Sequence, residues 1–167
     1  ASLLAALGSV PYLRWVRCHY AYPRQLSGNL LCQLATGKNT LPYLDMPVQH
    51  CSNAVLRRMR RGRGQHKLKE LLHRVRDDVP DVVLRSSPIV GFPGESDAEF
   101  EELRHFVDEM RFERLGVFKY SDEEGTDAYA LGGKIPGRII RSRHDKIMRR
   151  QRRIHQAHLK SLIGTVH

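Results

Sequence analysis

Between Val82 and Glu99 the chain runs VVLRSSPIVGFPGESDAE, and this stretch narrows the fold more than any other. The apolar runs VVL and IV read as one strand, 82–90, buried on both faces, as parallel strands are. A Gly/Pro turn follows. Ser96 and Glu99 then make an S-x-x-E capping box, with Asp97 well placed in the first turn. The helix they open turns Phe100, Leu103, Phe106, Val107 and Met110 inward as far as Met110. Strand, tight turn and helix in this order form half of a βαβ unit.

The same alternation runs along the rest of the chain. Tyr12–Tyr20 is aromatic and β-branched enough for a strand, and Pro23 stops it. Gln25–Thr36 carries Leu26, Leu30, Leu31 and Leu34 at helical spacing, with Gly37 at its end. Leu41–Met46 is a short strand. Ser52 caps a helix to about Arg61, the RGRG stretch breaks it, and Gln65–Asp78 is a further helix. Leu115–Tyr120 is the fourth strand, and the last helix runs from about Arg138 to Leu162. Strand–helix repeats of this length give a parallel sheet. Four strands cannot close a barrel, so the expectation is α/β: a partial, open (βα) TIM-like barrel of about four parallel strands. Residues 1–162 are expected to be the carboxy-terminal part of such a barrel. The opening residues read as the tail of an amphipathic helix, and 163–167 as the start of a further β-barrel domain, so both ends read as cut.

With 167 residues, 41% of them apolar, the chain has enough apolar material to bury a core, and no apolar run approaches the length of a membrane span. Cys18, Cys32 and Cys51 are widely spaced, which argues against a disulfide framework and for a reducing, cytoplasmic compartment. They form no C-x-x-C, and their spacing is poor for a metal. The net charge of +10 is uneven. Residues 1–55 carry +3, 56–80 carry +6, 81–127 carry −8 and 128–167 carry +9. Nine basic residues lie between Arg138 and Lys160, with only Asp145 opposing. Such a surface repels itself unless acid is near. The acid-rich middle of the chain is one candidate partner, and RNA or the ribosome is the other.

In parallel α/β folds the functional loops follow the carboxyl ends of strands. Four places qualify here: 19–23, 45–50, 91–95 and 120–126. Gly91 and Gly94 would let backbone approach a ligand, Pro93 fixes the turn, and the next helix offers unpaired N–H groups. A tight structural turn has the same composition. Gln49 and His50 either meet a ribose or carboxylate or satisfy loop backbone. Asp45, among apolar neighbours, needs a partner such as Arg17 or Arg85. Arg85 is either that partner or a ligand contact. Asp122, Glu123 and Glu124 read as a solvated face.

Three segments in order, YLDMPVQHCSNAVLRRMRRG, LRSSPIVGFPGESDAEFEEL and RLGVFKYSDEEGTDA, resemble the radical S-adenosylmethionine methylthiotransferases over nearly the whole chain. Gln49-His50 and the string from Tyr120 to Thr126 are most similar to the branch that modifies an aspartate of a small-subunit ribosomal protein. The tRNA-modifying branch is the alternative, and a non-catalytic RNA- or ribosome-binding module is the rival of another class. The resemblance implies S-adenosylmethionine as cofactor and [4Fe-4S] clusters. One cluster generates a 5′-deoxyadenosyl radical, and a second supplies sulfur. The family's cluster-binding cysteine loop has no counterpart here, so its ligands are expected outside this chain, which alone should turn over nothing. The resemblance places Ile89, Val90, Gly91, Phe92, Pro93, Gly94 and Glu95 on the strand and turn that pack the adenine, and Phe118 and Tyr120 on the strand beside it. Gln49 and Arg85 are candidates for the ribose or methionyl end. The implied substrate is a small-subunit ribosomal protein or the ribosome, with RNA contact through the basic last helix and no membrane. Pro88 and Cys51 depart from the family pattern, and Pro88 would remove a ladder hydrogen bond.

Overall fold

A computed structural model describes residues 1–62 and 64–165. Among the described residues six strands and six α-helices run in the order α1 (Ser2–Gly8), β1 (Val16–Cys18), α2 (Gly28–Thr36), β2 (Thr40–Asp45), α3 (Asn53–Arg58), α4 (Gln65–Asp78), β3 (Val83–Ser86), β4 (Ile89–Val90), α5 (Asp97–Met110), β5 (Arg114–Leu115), β6 (Phe118–Lys119) and α6 (Gly137–Ser161). Strands β1, β2, β3 and β5 pair in that order, and β4 pairs with β6. Every pairing is parallel. The architecture is therefore an open, partial (βα) barrel.

Register sets the two faces of the sheet. Leu44 lies beside Leu84, and Asp45 beside Arg85. Leu44 and Leu84 are fully buried against the helices, together with Leu31, Leu72, Leu103 and Phe106. Each such side chain stabilises the fold by roughly 1.5–3 kcal/mol relative to exposure. Asp45 and Arg85, one residue on, point to the opposite face of the sheet. Helix α5 starts as its sequence dictates. Ser96 Oγ accepts from Glu99 N–H at 3.2 Å, and the Glu99 carboxylate accepts from Ser96 N–H at 2.7 Å.

Several expected features change: the helix expected over 25–36 starts at Gly28, and the one expected to about Arg61 ends at Arg58. The strand expected over 12–20 is only Val16–Cys18: Tyr12 and Tyr20 adopt φ of 66° and 55°, and Trp15 is exposed, so nothing packs its aromatic rings into a layer. The strand expected over 82–90 divides into β3 and β4. Proline at 88 has no N–H to donate, although its carbonyl still accepts from Phe118 N–H at 2.9 Å. The strand expected over 115–120 divides likewise around Gly116 and Val117. Ser52 stands at the start of α3 without a side-chain cap bond; its backbone N–H instead donates to His50 Nδ1 at 3.0 Å. The break expected in RGRG falls partly on residue 63, outside the described residues. Of the segment 163–167, Ile163 and Gly164 continue as turn, and residues 166 and 167 lie outside the described residues.

Candidate functional site

Beyond the carboxyl ends of β4 and β6 lies a cleft of about 520 Å³. Gln49, Ile89, Phe92, Phe118 and Tyr120 all line it. Gln49 is placed by backbone. With φ at 65° it bridges to Pro88, donating its N–H to Ser87 and accepting from Ile89 N–H at 2.6 Å. Ile89 pairs with Phe118, which leaves two apolar side chains side by side on one wall. Phe118 is 60% exposed, a large apolar ring facing open space. Phe92 and Tyr120 meet edge to face, 5.4 Å between centroids.

Phe92 of the GFPGE turn lines the floor of the cleft, whereas Val90, Gly91, Pro93, Gly94 and Glu95 do not line it, and a side chain from the last helix holds the turn. Glu95 accepts from Gly91 N–H at 2.5 Å and Phe92 N–H at 3.2 Å, and its other oxygen accepts from Arg143 Nη1 at 2.9 Å. Arg143 also reaches the Glu95 carbonyl at 3.0 Å and Asp97 at 2.7 Å. The open side of Gly91 faces this helix. Its φ is 83°, and a Cβ there would lie 2.5 Å from Ile140. Val90, Gly91, Pro93 and Glu95 are thus buried supports of the floor, and Gly94 is exposed at its rim beside Arg58.

The loop after β6 closes the far side. Tyr120 OH donates to Asp122 at 2.8 Å, and Lys134 pairs with the same carboxylate, which holds it below its ordinary range. Gly94 N–H donates to the Gly133 carbonyl at 2.8 Å, seating the loop on the floor. Arg60 pairs with Asp127 across the mouth. So Asp122 is not a bare solvated charge.

Arg85 lies elsewhere. Its guanidinium stands 3.7 Å from Asp45 and lines a separate hollow with Arg114 and Met148. Asp45 also meets His19 at 3.4 Å, whereas Arg17 stacks over Tyr43. His50 is fully buried. Because its Nδ1 accepts from Ser52, its proton sits on Nε2, which has no partner among the described residues. Burial pushes its pKa down to about 4.

Four arginines escaped the sequence reading. Arg58, Arg60 and Arg61 line the cleft from the end of α3, as a helix following a strand's carboxyl end would place them. Arg143 had a visible signal: it falls on the stripe of Ile140, Ile147 and Ile154, where a charge demands a buried partner. The cysteines occupy separate elements, with Cys51 buried and its thiol pushed up to about 12 by that burial. Among the described residues no three His, Cys, Asp or Glu are grouped to hold a metal ion. No described helix is long and apolar enough to cross a membrane.

Residues 16–107 match the model of the radical SAM superfamily. The chain is 48% identical over 162 residues to the ribosomal protein uS12 methylthiotransferase RimO of Anaeromyxobacter sp. (strain K), covering 97% of this chain and 34% of that protein. It is 49% identical to the RimO of Myxococcus xanthus, with the same coverage. The chain therefore spans about a third of the length of the curated relatives it matches. Among solved structures, the coproporphyrinogen III oxidase HemN of Escherichia coli, a radical SAM enzyme, superimposes with a TM-score of 0.60 at 20% identity, over 80% of this chain and 30% of its own. Elp3 of Methanocaldococcus infernus gives 0.55 at 17% identity, over 77% and 30%. At such identities these two report the fold alone.

Proposed function

Because the chain belongs to the radical SAM superfamily, we propose that its cleft is the S-adenosylmethionine-binding wall of a methylthiotransferase acting on an aspartate of a small-subunit ribosomal protein. The observation that carries the reaction is the 48% identity across 97% of this chain to a uS12 methylthiotransferase. The cleft supports the cofactor. Ile89, Phe92 and Phe118 offer apolar surface for a purine, and the Gln49 amide offers a donor and an acceptor for ribose hydroxyls. Arg61, which forms no ion pair among the described residues, supplies positive charge for a carboxylate. Bound S-adenosylmethionine supplies hydrogen-atom abstraction at an unactivated carbon once it is reduced. The floor orients it, and the loop over 121–134 screens it from water.

The residues present do not fit an iron–sulfur cluster, since the three cysteines are not grouped. Its ligands would come from chain outside these residues. In this reading residues 1–162 are barrel and the residues after them lead to a further domain.

The test is a chimera in which this chain replaces the matching third of the Anaeromyxobacter relative, expressed in a strain lacking its own enzyme. Mass spectrometry of ribosomal protein uS12 should show one added methylthio group. The group on tRNA adenosine instead would transfer the assignment to the tRNA-modifying branch. A soluble chimera that cleaves S-adenosylmethionine yet modifies neither would overturn the substrate assignment, and one that neither binds nor cleaves it would overturn the cofactor wall.

A further inference from the structure

The two basic blocks of the sequence behave differently in three dimensions. In the first, Arg58, Arg60, Lys69, Arg74 and Arg76 each pair with a carboxylate: Glu99, Asp127, Glu109, Asp78 and Glu113. On α6, Arg143 and Arg150 turn toward α5 and pair with Asp97 and Asp108. Asp97, Glu99, Asp108, Glu109, Glu113 and Asp127 of the acid-rich middle are engaged in these contacts.

The opposite face of α6 is left over. Arg138, Arg141, Arg149, Arg152, Arg153 and Lys160 are all exposed, and among the described residues none forms an ion pair with a carboxylate. At 3.6 residues per turn they fall within about 60° of one line, and the line is about 33 Å long. The buried residues Arg143, Ile147, Gln151 and Ile154 occupy the other side. The face holds one acid, Asp145, engaged with His144 at 2.9 Å. It holds no aromatic side chain, and Leu159 is exposed only at its margin.

We propose that this outer face of α6 is a docking surface for the phosphate backbone of RNA. A protein partner of acidic character would be expected to meet aromatic or apolar anchors at the centre of the patch, and there are none. A polyphosphate backbone needs charge and forked donors at intervals along a line, and five of the six residues are arginines. The surface lies across α6 from the face that clamps the Glu95 floor, so it acts independently of the cofactor cleft. It adds a second contact to the reading in which the substrate protein sits in a ribosomal subunit, without depending on that reading.

The experiment is fluorescence anisotropy of a short blunt-ended RNA duplex titrated with this chain across a range of salt. Each phosphate contact contributes roughly 0.9 to the slope of log affinity against log salt. The triple variant Arg149→Glu, Arg152→Glu, Arg153→Glu should flatten that slope by roughly two to three. Single reversals at 149 and 153 should each flatten it by about one. A control of equal charge change at exposed positions, Arg14→Glu, Lys38→Glu, Lys67→Glu, should leave the slope in place, and the Arg→Lys triple at 149, 152 and 153 should retain it. Equal flattening by both Glu triples would overturn the proposal in favour of diffuse charge. Displacement of RNA by polyglutamate as readily as by unlabelled duplex would overturn it in favour of an acidic protein. Neither result bears on cofactor binding, which the chimera reports separately.

Discussion

Arg143 and Glu95, 48 residues apart in sequence, meet as a buried ion pair at 2.9 Å, with side chains 6% and 0% exposed. The pair ties the last helix to the turn that floors the cleft. Burial pushes the Glu95 carboxyl up, against the pull of Gly91 N–H, Arg143 and Phe92 N–H. Removing one partner of such a pair strands the other. Glu95→Gln should therefore cost about 3 kcal/mol in urea unfolding. That is the low end for a broken buried pair, because Arg143 keeps Asp97 and the Glu95 carbonyl. A loss below 1 kcal/mol would mean the floor is held by the turn alone.

His50 makes stability depend on pH. Its folded pKa of about 4 lies below the ordinary value of 6.5. Between those values the unfolded chain takes up a proton that the folded chain refuses. Stability from this residue is fully present above pH 6.5 and falls as pH drops toward 4, by roughly 3 kcal/mol over the window. His50→Asn removes the titration while leaving an oxygen to accept from Ser52. Its stability profile should be flatter over that window in unfolding measured at several pH values.

The contact between Gly91 and Ile140 can be dissected by a double-mutant cycle. Gly91→Ala places a methyl 2.5 Å from Ile140 in backbone at φ 83°. It should destabilise by about 2–4 kcal/mol, combining overpacking with left-handed strain. Adding Ile140→Ala should relieve the steric part only. The interaction energy in thermal or urea unfolding should therefore be favourable, about 1 kcal/mol or more.

Phe118 tests the cofactor wall directly. The ring is exposed and contributes little to the core. Phe118→Ala should leave urea unfolding within about 0.5 kcal/mol. The same change in the chimera should raise the Kd for S-adenosylmethionine about tenfold by calorimetry, the worth of one aromatic contact. An unchanged Kd would remove this ring from the site.

Much of this was legible in the residues. The capping box at Ser96 and Glu99, the helix Gln65–Asp78 and the inward stripe of α5 are local patterns, and they appear where the spacing puts them. The positions 49, 89, 92, 118 and 120 converge because parallel strands bring their carboxyl ends to one side. What the sequence hid was non-local. Glycine at 91 reads as room for a ligand, and only the packed structure shows the room taken by Ile140. Arg85 reads equally as ion-pair partner or ligand contact, and pairing register decides which carboxylate it reaches. The strand at 12–20 failed because tyrosine and tryptophan favour strands only where a layer covers them.

The Arg143–Glu95 pair also sets an order of events during synthesis. The GFPGE turn leaves the ribosome 48 residues ahead of the guanidinium that fastens it. At about 5–20 residues per second that is a delay of roughly 2–10 s. Throughout it Glu95 can accept from Gly91 and Phe92 but has no counter-charge. The nascent chain therefore carries a preformed but unlocked turn, and the cleft becomes a finished surface only when α6 arrives.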